Sequence, residues 1–318
     1  SAFVAVTGCA SQLSGGSFSS IPGVSFVCGT RNKLSLVSAV EAYFKGVTPS
    51  PLLSVAPPTG SLEPLSVTRF GRTRAYVKIQ DGCRGRCSYC VIPSLRGDSV
   101  LRPESSILSE VSALASGGCR EVVLTGIETS DYGPGLSGLI RRVSEIPGIE
   151  RIRLGSLDPS FFVPSFFSQI SDIPSLCHHF HLSVQSGSDR ILALMRRKYR
   201  SFLPSQTISS LRSSFPDMTF SADLIVGFPG ETEEDFSETC SFAEQNEFLH
   251  LHIFTYSRRP GTEASTLPHQ LPSSVKTSRL HRLSSIGEAS HRKILSSALR
   301  SGEPLSVLPE AIRDGLLI

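Results

Sequence analysis

Apolar and polar positions alternate along the chain with two different periods. Short apolar runs bounded by turn residues predict strands at 75–80, 121–124, 151–154, 180–184, 219–226 and 249–254. Apolar positions three and four residues apart predict helices at 105–115, 136–144, 161–170, 188–195, 207–214 and 232–244. Strands that alternate with helices predict a parallel sheet with right-handed crossovers. We therefore expect an α/β fold, a partial (β/α)6 barrel of the TIM type.

The same patterning divides the chain into four parts. Residues 1–47 hold two short apolar runs and one helical pattern, which indicates a truncated N-terminal α/β domain. Residues 48–68 are rich in proline and serine and are predicted to be a linker without a packed core. The barrel is expected at 69–270. An amphipathic basic C-terminal helix and a short apolar tail are expected at 271–318.

Three of the predicted strands carry polar residues on one face. These are His179, His181, Ser183, Gln185, Ser221, Asp223, His250 and His252. An ordinary filled barrel has branched apolar residues inside. The pattern therefore predicts a lumen that holds a polar ligand. The alternative is that the histidines face outward with satisfied hydrogen bonds.

Composition and charge narrow the class of protein. The formal net charge of +3 is too small to indicate nucleic-acid binding by bulk charge. Eight cysteines in 318 residues are too few for a disulfide framework. Reduced thiols favour a cytoplasmic protein. No stretch approaches the roughly 20 apolar residues that cross a membrane, so no membrane partner is expected.

Three cysteines stand close together after the first barrel strand. Cys83, Cys87 and Cys90 are separated by three and then two residues. A structural zinc site requires four protein ligands, and a ferredoxin-type cluster requires four cysteines. No fourth Cys or His lies nearby in the sequence. The economical interpretation is a 4Fe-4S cluster with one iron open to a ligand that is not protein, which means chemistry at the cluster.

The spacing of these cysteines resembles that of the radical S-adenosylmethionine (radical SAM) superfamily. The resemblance implies a 4Fe-4S cluster on Cys83, Cys87 and Cys90, with S-adenosylmethionine bound at the open iron. Further cofactor-binding positions that it implies are Tyr89, Thr125, Gly126, Asp223, Gly227 and Glu231. Ser156 and Gln185 are expected beside them, because they also follow strands whose carboxyl ends build the sites of barrels.

Longer motifs resemble the methylthiotransferase branch of that superfamily. They lie at 78–83, 92–93, 96–97, 151–154, 177–182, 185–189, 225–232 and 256–257. The Cys-His-His run at 177–179 and the loop at 126–133 look most like members that act on threonylcarbamoyladenosine beside the tRNA anticodon. The resemblance implies a transferase that adds a methylthio group at C2 of the adenine. It also implies tRNA as partner and flavodoxin or ferredoxin as electron donor.

Members of this branch carry a second cluster in their N-terminal domain. The segment 8–12 resembles one of its three ligand sites, so Cys9 is a candidate ligand of an auxiliary 4Fe-4S cluster. The other two ligands are not evident, and the usual RNA-binding β-domain is missing or truncated. Two other interpretations stay open. One is a methylthiotransferase for a ribosomal-protein aspartate, and the other is a degenerate homologue that binds metal or RNA without catalysis.

Basic clusters are candidate contacts to RNA phosphates. They comprise Arg69, Arg72 and Arg74, then Arg84 and Arg86, then 196–200, then Arg258 and Arg259. The alternative for 196–200 is a solvated helix face. The remaining cysteines Cys119, Cys177 and Cys240 are predicted to be small core residues.

Overall fold

The computed structural model of the protein describes residues 2–48, 52–71, 73–302, 304, 307–313 and 316–317. Within them the N-terminal part forms a three-stranded parallel sheet in the order β1-β2-β3, with two helices. Its elements are β1 (Ala5–Thr7), α1 (Cys9–Ser19), β2 (Phe26–Cys28), α2 (Leu34–Phe44) and β3 (Leu53–Ser54). Arg72, a predicted phosphate contact, lies outside the described residues.

Helix α1 and strand β3 depart from the sequence-based expectation. Helix α1 is rich in serine and glycine, which are weak helix formers, and the buried Ser11 hydroxyl anchors it by donating to the Cys28 carbonyl at 2.6 Å. Strand β3 lies in the predicted linker but pairs with β2. In the same segment the Glu63 carboxylate accepts the Lys33 backbone N–H at 2.7 Å, at the start of α2. The prediction that 48–68 lacks packed structure is therefore wrong for these residues.

Six parallel strands form the partial barrel, as the alternating pattern predicts. The strands of this part are β4 (Ala75–Lys78), β5 (Gln80–Asp81), β6 (Val100–Leu101), β7 (Glu121–Thr125), β8 (Arg151–Leu154), β9 (His179–Gln185), β10 (Thr219–Val226) and β11 (His250–Thr255). Strands β4, β7 and β8 pair in parallel, as do β9, β10 and β11, whereas β5 and β6 form an antiparallel pair. Parallel bridges join Ile152 to Leu176 and Leu157 to Leu182, and they connect the two halves.

Helices follow the strands in the order that crossover connections require. They are α3 (Ile92–Arg96), α4 (Glu104–Ser116), α5 (Gly135–Ser144), α6 (Pro164–Ile170), α7 (Asp189–Leu194), α8 (Phe202–Ser214), α9 (Glu233–Asn246) and α10 (Ser273–Ser301). The helix predicted at 161–170 begins only at Pro164, since Val163 is extended and the residue before a proline disfavours the helical conformation.

The helices cover one face of the strands. Along β9, Phe180, Leu182 and Val184 are buried, while the residues between them are half-buried. The same core includes Leu211 of α8 and Phe236 of α9. Because the apolar face of β9 is used by this core, its polar face lines the inside of the barrel. This arrangement agrees with the polar lumen expected from the sequence, and not with outward-facing histidines.

Helix α10 is continuous over 29 residues and docks on the last barrel strand. Gly287 lies in its middle, where a Cβ would meet the Leu251 side chain at 3.3 Å. The His291 ring lies 2.8 Å from the Leu249 carbonyl oxygen. The glycine that costs helix propensity thus permits close packing on β11.

The described part of the C-terminal tail contains one antiparallel pair, β12 (Ile312–Arg313) with β13 (Leu316–Leu317). Glu310 of the tail forms an ion pair with Arg74 at the start of the barrel. Among the described residues, no helix combines the length and the apolar character that crossing a membrane requires.

Candidate functional site

The three neighbouring cysteines lie in the loop that follows β5. Gly82 begins this loop with φ +79°, and a Cβ there would meet the Asp98 carbonyl oxygen at 2.1 Å, so the turn requires glycine. The thiols of Cys83, Cys87 and Cys90 are free of disulfides and half-buried. The loop therefore presents three available thiols at the carboxyl end of the first barrel strand.

The space around these sulfur atoms fits an iron-sulfur cluster. A Cβ on Gly85 would lie 3.0 Å from the Cys83 sulfur and 3.9 Å from the Cys87 sulfur, so the missing side chain keeps this space open. Among the described residues, no group of three or more His, Cys, Asp or Glu side chains is arranged to hold a single metal ion. A cluster places each thiolate on a different iron. The loop offers three thiols, whereas a structural zinc site requires four protein ligands, so its donor set suits a cluster.

Burial controls the protonation of the thiols. It raises the pKa of the Cys83 thiol to about 11, although the Gly85 backbone N–H acts in the opposite direction. Burial also raises the pKa of the Cys90 thiol. Both thiols are therefore protonated at neutral pH in the metal-free protein. Binding of iron must release these protons, because the ligands of a cluster are thiolates.

Gln80 joins the cysteine loop to the end of β7. Its buried amide donates to the Gly82 carbonyl and to the Ser99 hydroxyl, each at 2.7 Å. Its side-chain oxygen accepts the Glu128 backbone N–H at 3.0 Å. The sequence gives Gln80 only as part of a family-like motif, because this role depends on partners 19 and 48 residues away.

Arg96 joins the N-terminal part of the chain to the cysteine loop. Its Nη1 lies 3.2 Å from both carboxylate oxygens of Asp81, and its Nε lies 3.3 Å from the Cys9 sulfur. Burial alone would raise the pKa of Asp81, but Lys78 and Arg96 lower it overall. Cys9, the predicted auxiliary ligand, is thereby linked through one guanidinium to the loop that carries the other three cysteines.

The basic run at 196–200 divides between the surface and the site. Arg196 is exposed and pairs with Glu263 at 2.7 Å. The Arg197 side chain is only 8% exposed, and its Nη1 lies 3.4 Å from the Cys87 sulfur. The hypothesis that this run contacts RNA phosphates is therefore wrong for Arg197. The other basic residues of the run remain exposed.

A row of aromatic rings begins next to the last cysteine. Tyr89 packs edge-on against Phe228 with ring centroids 6.4 Å apart, and Phe228 packs against Tyr256 at 5.4 Å. Burial raises the pKa of Tyr89 well above its ordinary value, so its hydroxyl stays neutral. The role of Tyr89 beside a cofactor adenine stays a prediction.

Two strand-end glycines allow neighbouring strand ends to approach each other. A Cβ on Gly126 would meet Gln80 Oε1 at 2.6 Å, and a Cβ on Gly155 would meet Thr125 Oγ1 at 2.6 Å. The space beside both glycines is thus filled by protein atoms, so neither position could accept a side chain without a shift of its neighbour. Thr125 and Ser156 are half-buried at this end of the barrel, and their cofactor contacts stay predictions.

The ends of β9 and β10 carry unusual backbone conformations. Gln185 has φ +74°, which is uncommon for a residue with a side chain and is typical of functional sites. Gly227 has φ +73°, and its backbone N–H donates to the buried Glu231 carboxylate at 2.7 Å. Arg279 of α10 is the second partner of that carboxylate. The Glu231 side chain therefore holds this turn against α10, whereas the sequence predicts a cofactor contact.

Polar residues inside β9 and β10 form a connected chain of hydrogen bonds. The His179 ring lies 2.9 Å from the Thr219 hydroxyl and 3.0 Å from the Ser221 hydroxyl. The His181 ring lies 2.8 Å from the same Ser221 hydroxyl and 3.1 Å from an Asp223 carboxylate oxygen. Burial, with positively charged neighbours, lowers the pKa of His179 to about 4. This ring is therefore neutral at physiological pH.

A buried carboxylate pairs with three arginines close to these polar residues of β9 and β10. Glu121 is fully buried and pairs with Arg74 at 3.3 Å, Arg151 at 2.7 Å and Arg153 at 2.9 Å. The sequence-based predictions do not include this group. The signal for it is the pair Arg151 and Arg153, which alternation places on one face of a predicted strand.

Glu128 is a second residue that sequence reasoning missed. It lines a cavity of about 280 Å³ together with Cys83, Cys87 and Arg197. Burial, with the nearby Asp158, raises the pKa of the Glu128 carboxyl to about 7. A carboxyl with this pKa can hold or release a proton at neutral pH, next to the cysteines.

Comparison with known proteins gives one matching family model and several similar sequences. The model of the Radical SAM superfamily matches residues 77–243. Threonylcarbamoyladenosine tRNA methylthiotransferase MtaB of Bacillus subtilis is 34% identical over 314 residues, which are 96% of this chain and 69% of that protein. The tRNA-2-methylthio-N(6)-dimethylallyladenosine synthase of Pelobacter propionicus is 36% identical over 327 residues, with 98% and 72% covered. The MtaB of Chlamydia pneumoniae is 40% identical over 245 residues, with 76% of this chain and 58% of that protein covered.

Solved structures share the fold at low sequence identity. The radical S-adenosylmethionine methyltransferase TsrM from Kitasatospora setae superposes with a TM-score of 0.67 at 17% identity, covering 83% of this chain and 57% of that one. Coproporphyrinogen III oxidase HemN from Escherichia coli gives a TM-score of 0.54 at 17% identity, covering 71% and 54%. These similarities confirm the predicted partial barrel.

Proposed function

Because the chain belongs to the radical SAM tRNA methylthiotransferase family, we propose that it adds a methylthio group to C2 of threonylcarbamoyladenosine next to the tRNA anticodon. The predicted cofactors, a 4Fe-4S cluster and S-adenosylmethionine, are those of the superfamily. Cys83, Cys87 and Cys90 would hold the cluster, which would supply the one-electron chemistry that an inert C–H bond requires. The residues of the chain itself bind, orient and shield the reactants.

The polar inner wall of the barrel, formed by His179, His181, Ser221 and Asp223, supports this choice of substrate. The two kinds of relative named above differ in the group on the adenine, which is threonylcarbamoyl in one and dimethylallyl in the other. A threonylcarbamoyl group brings a carboxylate, a hydroxyl and amide-like N–H groups. A dimethylallyl group is a hydrocarbon, and burying it beside the Asp223 carboxylate, which is 23% exposed, would remove water from that charge without giving it a new hydrogen bond. This wall supports the threonylcarbamoyl substrate.

Positive charge near the wall supports the same choice. Arg153 is 28% exposed although it pairs with the buried Glu121. It points from β8 to the same side as the polar residues of β9, because alternate residues of neighbouring strands share a face. A partly exposed guanidinium can bind a carboxylate by charge-assisted hydrogen bonds. The threonyl carboxylate is the group that such a residue would recognise.

Exposed basic residues around the cysteine loop are suited to the RNA itself. Arg84, Arg86 and Lys198 line the cavity beside Cys83 and are exposed to solvent. Such side chains can neutralise phosphates that flank the target nucleoside. Flavodoxin or ferredoxin remains the proposed electron donor. A reduced cytoplasmic compartment suits the free thiols.

A direct test compares two tRNA substrates. The anaerobically reconstituted protein is incubated with S-adenosylmethionine, a reductant, sulfide as the sulfur source, and tRNA that carries either threonylcarbamoyladenosine or dimethylallyladenosine. Nucleosides are then measured by mass spectrometry. The 5′-deoxyadenosine that reductive cleavage of S-adenosylmethionine releases is measured in parallel. We expect the methylthio product from the first tRNA only. Cys87→Ala should abolish deoxyadenosine formation, whereas Cys119→Ala, at a buried core cysteine, should retain it.

The possible outcomes separate the parts of the proposal. Modification of the dimethylallyl substrate alone would overturn the choice of substrate. A protein that binds zinc, remains colourless and forms no deoxyadenosine would support the non-catalytic alternative. Methylthiolation of a ribosomal-protein peptide without any modified tRNA would support the ribosomal alternative.

A further inference from the structure

The buried Arg197 is held in one orientation by partners on every nitrogen. Its Nε donates to the Tyr199 hydroxyl at 3.1 Å, and its Nη2 donates to the Asp158 carboxylate at 2.6 Å and to the Ser183 carbonyl at 3.0 Å. The guanidinium also stacks over the Tyr199 ring, 5.0 Å from the centroid. The remaining nitrogen, Nη1, points at the Cys87 sulfur at 3.4 Å. The position of this last N–H is therefore fixed by the other contacts.

Tyr199 anchors this arrangement to the barrel. Its buried hydroxyl donates towards the Ser183 and Val184 carbonyl oxygens, at 2.8 and 3.0 Å. The guanidinium is thus attached to the carboxyl end of β9 and bridges from there to the cysteine loop. Arg196, the neighbouring residue, is exposed and makes its ion pair with Glu263. The sequence Arg-Arg therefore contains one surface residue and one residue directed at a cysteine sulfur.

We propose that Arg197 is a positioning residue that raises the reduction potential of the iron-sulfur cluster by donating a charge-assisted hydrogen bond to the Cys87 sulfur. Reduction adds negative charge to a cluster and its thiolates. A fixed positive N–H group at a ligand sulfur stabilises that added charge, and hydrogen bonds to cluster sulfurs are a known means by which proteins set the potential. The low exposure of Arg197 limits screening by water, so the effect is larger than at the surface.

Asp158 provides a second test, in which the reduction potential should shift in the opposite direction. Its carboxylate is the counter-charge of Arg197 and pairs with Nη2, whereas Nη1 faces the Cys87 sulfur. Removing the negative charge should make the potential less negative, whereas removing the guanidinium should make it more negative. A purely structural role for this pair would not produce opposite shifts. The inference rests on the proposed function only in requiring a cluster on the three cysteines.

The test is a redox titration followed by EPR on the reconstituted full chain, without S-adenosylmethionine and without tRNA. Arg197→Met should shift the midpoint potential to more negative values, and Arg197→Lys, which keeps the charge, should shift it less. Asp158→Asn should shift it to less negative values. Arg292→Met is the control and should leave the potential at its wild-type value, because Arg292 is exposed on α10, pairs with Glu288 and does not line the cavity that holds Cys83 and Cys87.

Each outcome of the titration supports or overturns the role proposed for Arg197. Unchanged potentials in Arg197→Met and Arg197→Lys would overturn it. Weaker binding of S-adenosylmethionine by the same variants, measured separately, would then assign Arg197 to the cofactor instead. If Arg197→Met does not retain iron, the midpoint potentials of Arg197→Lys and Asp158→Asn still test the proposal. Potentials that shift in the same direction in both variants would overturn it. A wild-type protein that assembles no cluster would contradict the proposed function, which distinguishes that failure from a cluster whose potential does not respond.

Discussion

Lowering the pH below 6.5 should destabilise the barrel, and His179 should account for a defined part of the loss. Its ring is held inside the barrel by the Thr219 and Ser221 hydroxyls at 2.9 and 3.0 Å. Burial, followed by the positive charge of Arg153 and of neighbouring histidines, lowers its pKa from 6.5 to about 4. The folded protein therefore resists protonation of this ring, whereas the unfolded chain accepts the proton readily.

The sign and size of the effect follow from this difference. Between pH 6.5 and 4 the unfolded state binds a proton that the folded state does not, so stability falls as the pH falls and levels off below about 4. Since each pKa unit corresponds to about 1.4 kcal/mol, the full loss is about 3 kcal/mol. At pH 5 about 2 kcal/mol of it should already be lost relative to pH 7.5. Above pH 7 this residue should contribute no pH dependence.

The assay is anaerobic urea unfolding at pH 7.5 and pH 5.0. His179→Gln keeps a polar side chain but cannot titrate, so it should remove about 2 kcal/mol of the difference between the two pH values. His281→Gln, at an exposed position of α10, is the control and should leave the difference unchanged. Equal losses of unfolding free energy in the wild-type protein and in His179→Gln would refute the reasoning. An NMR titration that gives the His179 ring a pKa above 6 would refute it as well.

Three further predictions concern the framework of the site. Gly187→Ala should lower the free energy of unfolding by about 1–3 kcal/mol in thermal denaturation, because a Cβ there would lie 2.7 Å from the Thr239 Cα in α9. Gly16→Ala is the control, since a Cβ at Gly16 has open space, and it should show no such loss. Thr232→Ala removes the capping box of α9 and should cost about 0.5–2 kcal/mol, measured by urea unfolding, and no change would contradict the role of the cap. Glu121→Gln leaves its arginine partners without their buried counter-charge and should cost about 3–5 kcal/mol by calorimetry, so a loss below 1 kcal/mol would contradict the role given to this carboxylate.

The strands of the barrel could be predicted because their signal is local. The strands predicted at 151–154 and 219–226 have the same bounds in the structure, since apolar periodicity and turn residues define both ends. The three neighbouring cysteines could be predicted for the same reason. Helix α1 could not, because its serines and glycines favour other conformations and the Ser11 contact that anchors it spans 17 residues.

Several site features depend on long-range packing and have no local signal. Arg197 belongs to a run of basic residues that predicts a surface cluster, but its partner Cys87 is 110 residues away. The sequence predicts a cofactor contact at Gly126, whereas the Gln80 side chain fills the space beside it. It also predicts a cofactor contact at Glu231, but Arg279, 48 residues later, pairs with that carboxylate. In each case the residue type was visible in the sequence and its partner was not.

The docking of α10 has a consequence for aggregation. Six strands do not close a barrel, so β11 borders the described sheet with one unpaired edge, and an unpaired edge is a template for strand addition by another chain. The Ser290 hydroxyl donates to the Phe248 carbonyl and the His291 ring contacts the Leu249 carbonyl, both just before β11. Helix α10 also packs on β11 itself, through Gly287 against Leu251, and so limits the access of another chain to this strand. Removing the helix should convert a protein that stays dispersed into one that forms β-rich precipitates, even where the cysteine loop is intact.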